Sequence, residues 1–200
     1  MRYNLFTIFF LLCGFVFGQG TEGLSYREIN NGTALEVSIG SPTSRDIIIP
    51  PVYDGLPVTR IANRGFAYCA WINGIRSIEL PNSITEIGDG AFIAAYLPSP
   101  FILPEGLVYV GEYAFGHSFL SFTHLPETIV YIGETAFYSA GPMEFPIDRY
   151  FRSIHIPAGT TFIGDHAFVS RGTESITVDQ IMHFLEMMET GLFVIQTILL

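Results

Sequence analysis

Short runs that alternate apolar and polar residues recur along the chain, and a proline closes each run. These runs are residues 75–80, 101–103, 120–125 and 154–156. A period of two is typical of β-strands, and proline cannot extend a central ladder, so each run predicts a short strand that ends at its proline. A second short segment with apolar residues follows each proline, as in residues 84–88 and 129–133. Each unit therefore contributes two stretches that face inward.

The units repeat one template in which Pro, Gly, Ala and Phe stand at fixed offsets. The four copies are Pro81, Gly88, Ala91 and Phe92; Pro104, Gly111, Ala114 and Phe115; Pro126, Gly133, Ala136 and Phe137; and Pro157, Gly164, Ala167 and Phe168. Each spans eleven residues from Pro to Phe, and a looser copy ends at Ala62 and Phe66. Self-similarity at this period predicts a repeat array in which neighbouring units share one core.

The repeated glycine and phenylalanine have predicted structural roles. Glycine suits a tight bend with positive φ or a place where a neighbouring backbone comes close, and both alternatives stay open. The large ring at the end of each template is expected to point inward, so the rings of successive units stack as a spine. The spine consists of Phe66, Phe92, Phe115, Phe137 and Phe168.

This unit, with a strand, a proline, a Val/Ile-x-x-Ile-Gly turn and Ala-Phe, resembles the BspA-like (treponemal-type) leucine-rich repeat family. Residues 49–69 resemble the usual first unit of that family, and the likeness covers about residues 45–180. The resemblance implies a repeat solenoid: a right-handed superhelix with short parallel strands on the concave face and a mostly irregular or short helical convex side. It further implies an exported bacterial protein that binds other proteins or host matrix.

The predicted organisation has four parts. They are a signal peptide at 1–20, an N-terminal cap segment at 21–44, about five leucine-rich repeats at 45–174 and a degenerate repeat or cap at 175–200. Around residues 139–150 the longer spacing between units, with Gly141 and two prolines, predicts a surface loop.

The first twenty residues combine Arg2, an apolar stretch from Leu5 to Phe17 and small residues near a cleavage site, as in a secretory signal peptide. A membrane anchor is the competing interpretation, but the stretch of about thirteen residues is shorter than the roughly 20 that span a bilayer. Cys13 raises lipid attachment as a further alternative. After cleavage Cys69 would be the only cysteine, which leaves no intramolecular disulfide. We expect export to the periplasm, the outer surface or the medium, with no integral span in the mature chain.

The formal net charge of -10 disfavours nucleic acid and anionic membranes as partners. The chain has no nucleophile elbow and no phosphate-binding loop, and its Asp and Glu stand at variable positions within the repeats, so we expect neither an enzyme nor a cofactor. His124 and His155 fall on adjacent units, which admits a metal site. A third ligand is not evident, so we expect solvated histidines and no metal.

Two columns of residues are candidates for partner binding because they are predicted to face outward. The column before the prolines comprises Ile48, Glu79, Ile102, Phe122, His124 and His155. Its exposed apolar members predict either a partner groove or a surface covered by the N-terminal segment or a self-contact. The second column lies two residues before each glycine and includes Tyr109, Tyr131 and Phe162, as a binding ladder or as lateral packing.

The sequence thus favours a protein–protein interaction module, adhesin-like or specific for an envelope component, that uses the concave and lateral surfaces. A periplasmic structural or self-assembling scaffold is the alternative, since apolar surface also supports self-association. A carrier of a small hydrophobic ligand is a third hypothesis, and a thin solenoid rarely encloses the pocket that it needs.

Overall fold

A computed structural model describes residues 20–69, 75–97, 101–119, 124–140, 153–169 and 175–178. Within these ranges the chain consists of short strands joined by turns and contains almost no helix. The strands are β1 Ser25–Ile29, β2 Ala34–Ser38, β3 Asp46–Ile48, β4 Val52–Tyr53, β5 Leu56–Ile61, β6 Ser77–Glu79, β7 Glu86–Ile87, β8 Tyr109–Val110, β9 Tyr131–Ile132, β10 Ser153–Ile156, β11 Phe162–Ile163 and β12 Ser175–Val178. The predicted signal peptide and most of residues 175–200 lie outside the described residues.

An antiparallel hairpin precedes the repeats. Strands β1 and β2 pair so that Tyr26 lies opposite Val37, and a 3-10 turn over Asn30–Gly32 joins them. Asn31 in this turn has φ 58°, a conformation that asparagine tolerates better than most residues. Strand β2 then pairs in parallel with β5, so the hairpin occupies the first end of the sheet.

The largest sheet follows the order β1-β2-β5-β7-β8-β9-β11, with β4 paired antiparallel to β5. From β2 onward its ladder is parallel, and each repeat adds a strand of only two residues immediately before the template glycine. The parallel strands and the near absence of helix agree with a leucine-rich repeat fold.

The strands before the prolines form shorter ladders than the sequence predicts. Strand β3 pairs in parallel with β6, and β10 pairs in parallel with β12. The predicted strand at residues 101–103 is not a strand, and the predicted run at 120–125 is described only at its end, which is not a strand either. Pro98 and Pro100 carry no amide hydrogen, so the chain that enters residues 101–103 has fewer donors with which to extend a ladder. The strand prediction was therefore wrong at residues 101–103, and the more continuous ladder is the one before the glycines.

The template phenylalanines form one stack through the core. Adjacent ring centroids lie 5.6, 5.3, 5.1 and 5.2 Å apart from Phe66 to Phe168. Phe92 and Phe115 also meet the ring of Phe101 edge-on. The first four rings of the stack are fully buried, and Phe168 is 8% exposed. Burial of such rings is the main apolar contribution of each coil to folding.

Backbone hydrogen bonds at the phenylalanine corner all run in one direction. The N–H of the phenylalanine in one coil donates to the carbonyl of the template alanine in the next coil. The bonds are Phe66 to Ala91 at 2.8 Å, Phe92 to Ala114 at 2.7 Å and Phe115 to Ala136 at 2.7 Å. Residues two positions before and two after each phenylalanine make the same kind of bond, so three columns run along the array. At the N-terminal end the N–H of Ile39 starts the middle column by donating to the carbonyl of Gly65 at 2.9 Å.

The template glycine is required for close approach and not for positive φ. A Cβ built on Gly133 would lie 2.6 Å from the backbone nitrogen of Glu112, and one on Gly164 would lie 2.3 Å from that of Glu134. The positive φ falls two residues later in each coil. It is carried by Arg64, Gly90, Tyr113, Thr135 and His166, with φ between 53° and 58°. Of the two alternatives that the sequence left open, the structure therefore selects the close backbone.

Candidate functional site

The column two residues before each glycine forms a continuous line on the main ladder. The pairs in register are Arg60 with Glu86, Glu86 with Tyr109, Tyr109 with Tyr131, and Tyr131 with Phe162. Along each strand the next residue is buried, as Val110 is after Tyr109. Because successive residues of a strand face opposite sides, the column residue turns away from the core.

The three aromatic residues of this column stack ring on ring, and we call them the aromatic ladder. The centroids of Tyr109 and Tyr131 lie 4.6 Å apart with their planes 8° from parallel, and those of Tyr131 and Phe162 lie 4.5 Å apart at 7°. All three residues are half-buried. Each ring therefore shields the face of its neighbour, while part of each residue stays accessible to solvent.

A neighbouring carboxylate affects the pKa of Tyr109, the first ring of the aromatic ladder. Partial burial, followed by the charge of Asp89 and the neighbouring Tyr131, raises the pKa of the Tyr109 phenol. Asp89 lies one coil before Tyr109, where its Oδ1 also accepts a hydrogen bond of 3.0 Å from the backbone N–H of Glu112. Burial is the largest cause of this raised pKa, and the charge of Arg60 acts in the opposite direction.

Asp and Glu do not stand at variable positions throughout, contrary to the expectation from sequence. One carboxylate follows each template glycine directly, three residues after the ladder position, and we call this set the acidic row. The row consists of Asp89, Glu112, Glu134 and Asp165, all exposed. The signal was present in the sequence, because Gly-Asp or Gly-Glu recurs in all four templates.

The N-terminal end of the same column is charged instead of aromatic. Arg60 Nε lies 3.6 Å from a carboxylate oxygen of Glu86, and its guanidinium donates a 2.9 Å hydrogen bond to Asn63. One strand earlier, Glu36 is buried and accepts a hydrogen bond of 2.6 Å from Arg27. The column therefore changes from paired charges to aromatic rings along the array.

The column before the prolines is less regular. Ile48 on β3 lies in register with Glu79 on β6, and Ile48 is 42% exposed. Ile102 is 76% exposed and lies on no strand. His124 approaches a carboxylate oxygen of Glu105 at 3.1 Å. The members of the column before the prolines are predicted to share one binding surface. Phe122, its aromatic member, lies outside the described residues.

The repeats match a known family model. Residues 52–148 align with six copies of the BspA type leucine-rich repeat region. The repeats of this chain are BspA-type leucine-rich repeats. A comparison with curated proteins gives no match.

Two solved structures resemble this BspA-type protein. The T. pallidum leucine-rich repeat protein TpLRR is 21% identical with a TM-score of 0.59, and the match covers 78% of this chain and 68% of that one. A leucine-rich repeat protein from Bacteroides ovatus is 24% identical with a TM-score of 0.58, and the match covers 78% of this chain and 40% of that one. At these identities the likeness shows the fold alone.

Within the described part of this BspA-type protein, no group of three or more His, Cys, Asp or Glu side chains is arranged to hold a metal ion. In the same ranges no helix has the length and apolar character needed to cross a membrane. His155 lies on β10, in register with Thr177 of β12.

A second aromatic pair, which the sequence did not indicate, lies beside the N-terminal hairpin. The rings of Tyr26 and Tyr53 stack with centroids 3.8 Å apart. Partial burial, and then the proximity of the Tyr53 phenol, raise the pKa of Tyr26 to about 12. Tyr26 belongs to β1 and Tyr53 to β4, so the pair links the hairpin to the first repeat.

This pair predicts an alkaline transition at the N-terminal end. A tyrosine in an unfolded chain ionises near pH 10, whereas folded Tyr26 does so at about 12. The folded pKa is raised, so its contribution to stability is complete below pH 10 and is lost as the pH rises toward 12. We expect Tyr26→Phe to reduce the loss of stability across this interval, as measured by urea unfolding at several pH values. Tyr68→Phe, which removes an exposed hydroxyl elsewhere, serves as the control, and identical pH profiles for the wild type and Tyr26→Phe would contradict the assignment.

Proposed function

We propose that this BspA-type protein is an exported interaction module that binds a protein partner, either a host matrix protein or a component of the bacterial envelope. Support for export comes from the apolar pattern of residues 1–20. Support for protein binding comes from the repeat family, whose extended surfaces suit contact with other proteins. The adhesin-like role and the compartment are part of this proposal.

The observation that carries the proposal is the aromatic ladder. Tyrosine and phenylalanine provide wide contact area with few rotatable bonds, and such residues are frequent anchors of protein interfaces. In the ladder, stacking already restricts the rings of Tyr109, Tyr131 and Phe162, so little further conformational entropy is lost on binding. Ile102 adds exposed apolar surface on the column before the prolines.

The test is capture of the full chain by immobilised matrix proteins and by purified envelope fractions. Tyr131→Ser removes the central ring of the ladder and is expected to weaken capture about tenfold or more. Tyr68→Ser is the matched control because Tyr68 is an exposed tyrosine outside both columns. Ile102→Ser tests the second column in the same assay. Circular dichroism establishes that each variant is folded, and equal capture by the wild type, Tyr131→Ser and Ile102→Ser would overturn the proposal.

A self-assembling scaffold is the second candidate, supported by the C-terminal end of the ladder. Strand β11 pairs with β9 on one side, and within the described residues no strand pairs with its other side. A strand edge that lacks a partner is a template for a further strand, and in a scaffold a second copy of the chain supplies that strand. Light scattering over a range of concentrations separates the candidates, because a monomer at high concentration contradicts a scaffold and is compatible with capture of a different partner.

A further inference from the structure

The acidic row and the aromatic ladder run side by side along the same coils. Each row residue follows its ladder residue by three positions, as Glu112 follows Tyr109 and Glu134 follows Tyr131. The strands of a sheet are about 4.8 Å apart, so four carboxylates in successive coils extend over about 14 Å. At the start of the row, the charge of Asp89 contributes, after partial burial, to the raised pKa of the Tyr109 phenol.

Arginines partly offset the charge at the N-terminal end of this row, where Arg60 pairs with Glu86 and the side chain of Arg64 lies against Gly90, the neighbour of Asp89. The chain contains no lysine, and no arginine occurs between Arg76 and Arg149. Within the described part of that interval, the exposed side chains that carry charge or can gain a positive charge are carboxylates and two histidines, His117 and His124. The surface at Glu112 and Glu134 is therefore negatively charged, and a partner of complementary charge is favoured there.

Three other ligand classes fit this surface poorly. A metal ion needs several converging oxygens, and the described residues hold no cluster of that kind. Nucleic acid is repelled by the carboxylates. A sugar ring would need the open face of an aromatic side chain, but centroid separations of 4.6 and 4.5 Å leave no space between the rings of the ladder.

We propose that the acidic row and the aromatic ladder together form a docking face for an Arg- or Lys-rich segment of a protein partner. This inference rests on the proposed function and adds the chemistry of the partner. The aliphatic part of a long basic side chain packs along the exposed ring edges, while its charged end reaches a carboxylate of the row. The phenol of Tyr109 is a further acceptor at the edge of the row.

The spacing of the row matches a partner that offers one cation per turn of helix. A helix advances 5.4 Å per turn, close to the step of about 4.8 Å between coils. Arginines on one face of a helical segment therefore meet successive carboxylates over three or four coils. A basic segment of another conformation meets fewer of them in register.

The test measures binding of an alanine-based helical peptide with one arginine per turn to the full chain by isothermal titration. Glu112→Gln/Glu134→Gln removes two charges from the row and is expected to weaken binding about three- to tenfold, because each exposed ion pair contributes modestly. Glu105→Gln/Glu127→Gln removes the same charge from exposed positions of the same two coils outside the row, and less than a twofold change is expected. The same peptide with glutamate in place of arginine is expected not to bind.

The outcomes distinguish this inference from the proposed function. Equal weakening by the two double variants means that the attraction is general and overturns the docking face. If Tyr131→Ser abolishes capture of the partner while Glu112→Gln/Glu134→Gln and added salt have no effect, the basic partner is wrong and the interaction module stands. If partner capture is insensitive to Tyr131→Ser and Ile102→Ser, the interaction module itself is contradicted. Weaker peptide binding in both Tyr131→Ser and Glu112→Gln/Glu134→Gln, with a steep dependence on salt, supports the inference.

Discussion

Phe115→Ala is expected to destabilise the protein by about 3–5 kcal/mol, enough to unfold the array or to lower its melting temperature sharply. The ring of Phe115 is fully buried and lies 5.3 Å from that of Phe92 and 5.1 Å from that of Phe137. The substitution therefore leaves a cavity between two coils and removes two stacking contacts. Because each coil contacts mainly its neighbours, a weak central coil separates the two halves of the array.

Thermal unfolding followed by circular dichroism measures this effect, and two variants serve as references. Phe115→Leu keeps most of the apolar volume and is expected to be less destabilising than Phe115→Ala. Val130→Ala shortens an exposed side chain and is expected to change stability by about 0.5 kcal/mol or less. A melting curve of Phe115→Ala that coincides with the wild-type curve would show that the phenylalanine stack does not hold the coils together.

Gly133→Ala is expected to have the second largest effect, a destabilisation of about 1–3 kcal/mol from overpacking. The added Cβ would lie 2.6 Å from the nitrogen of Glu112 and 2.6 Å from the carbonyl carbon of Gly111. Both contacts are backbone atoms of the preceding coil, so no side chain can rotate away. The two coils must separate, which lengthens the bond from the Gly133 N–H to the carbonyl of Val110, now 2.8 Å.

The control for this variant is another glycine of the array. A Cβ on Gly159 would meet the carbonyl oxygen of Glu127 at 3.5 Å, an ordinary contact. We expect Gly159→Ala to leave the urea midpoint almost unchanged, whereas Gly133→Ala lowers it. A midpoint for Gly133→Ala equal to that of Gly159→Ala would contradict the close approach of the coils at the template glycine.

The phenylalanine stack and the need for glycine follow from the sequence because both depend on exact repetition. A ring that recurs eleven residues after each proline occupies the same place in every coil, so Phe92 and Phe115 meet. The sequence alone could not show whether the glycine is needed for positive φ or for close approach of two coils. Positive φ and close approach both select glycine, and the contact that decides between them lies in the preceding coil, as with Gly133 and Glu112.

The ladder was harder to predict because its strands are very short. Tyr131–Ile132 is a strand of two residues, too short for an alternating pattern to appear. The three apolar residues 101–103 looked more like a strand and are not one. Hydrogen bonds between coils, which the sequence does not display, determine which segment extends the sheet.

The candidate site was predicted in part. The outward column with Tyr109, Tyr131 and Phe162 was identified from the offset to the glycines, but the stacking of its rings was not. The acidic row was missed because the carboxylates were considered as a scattered set instead of by offset. Aspartate and glutamate both occur in the row, as at Asp89 and Glu112, which hides a position that keeps its charge while its residue type changes.

The one-way backbone bonds at the phenylalanine corner make the two ends of the array chemically different. Peptide dipoles that point the same way add, as they do in a helix. Each N–H in the three columns points toward the C-terminal coil, so at this corner the C-terminal end has positive polarity and the N-terminal end has negative polarity. The hairpin already supplies a donor at the negative end, from Ile39 to Gly65. A further coil at the positive end of the corner must offer carbonyl oxygens as acceptors. A further coil at the negative end must offer N–H donors, so the two ends of the corner accept different groups.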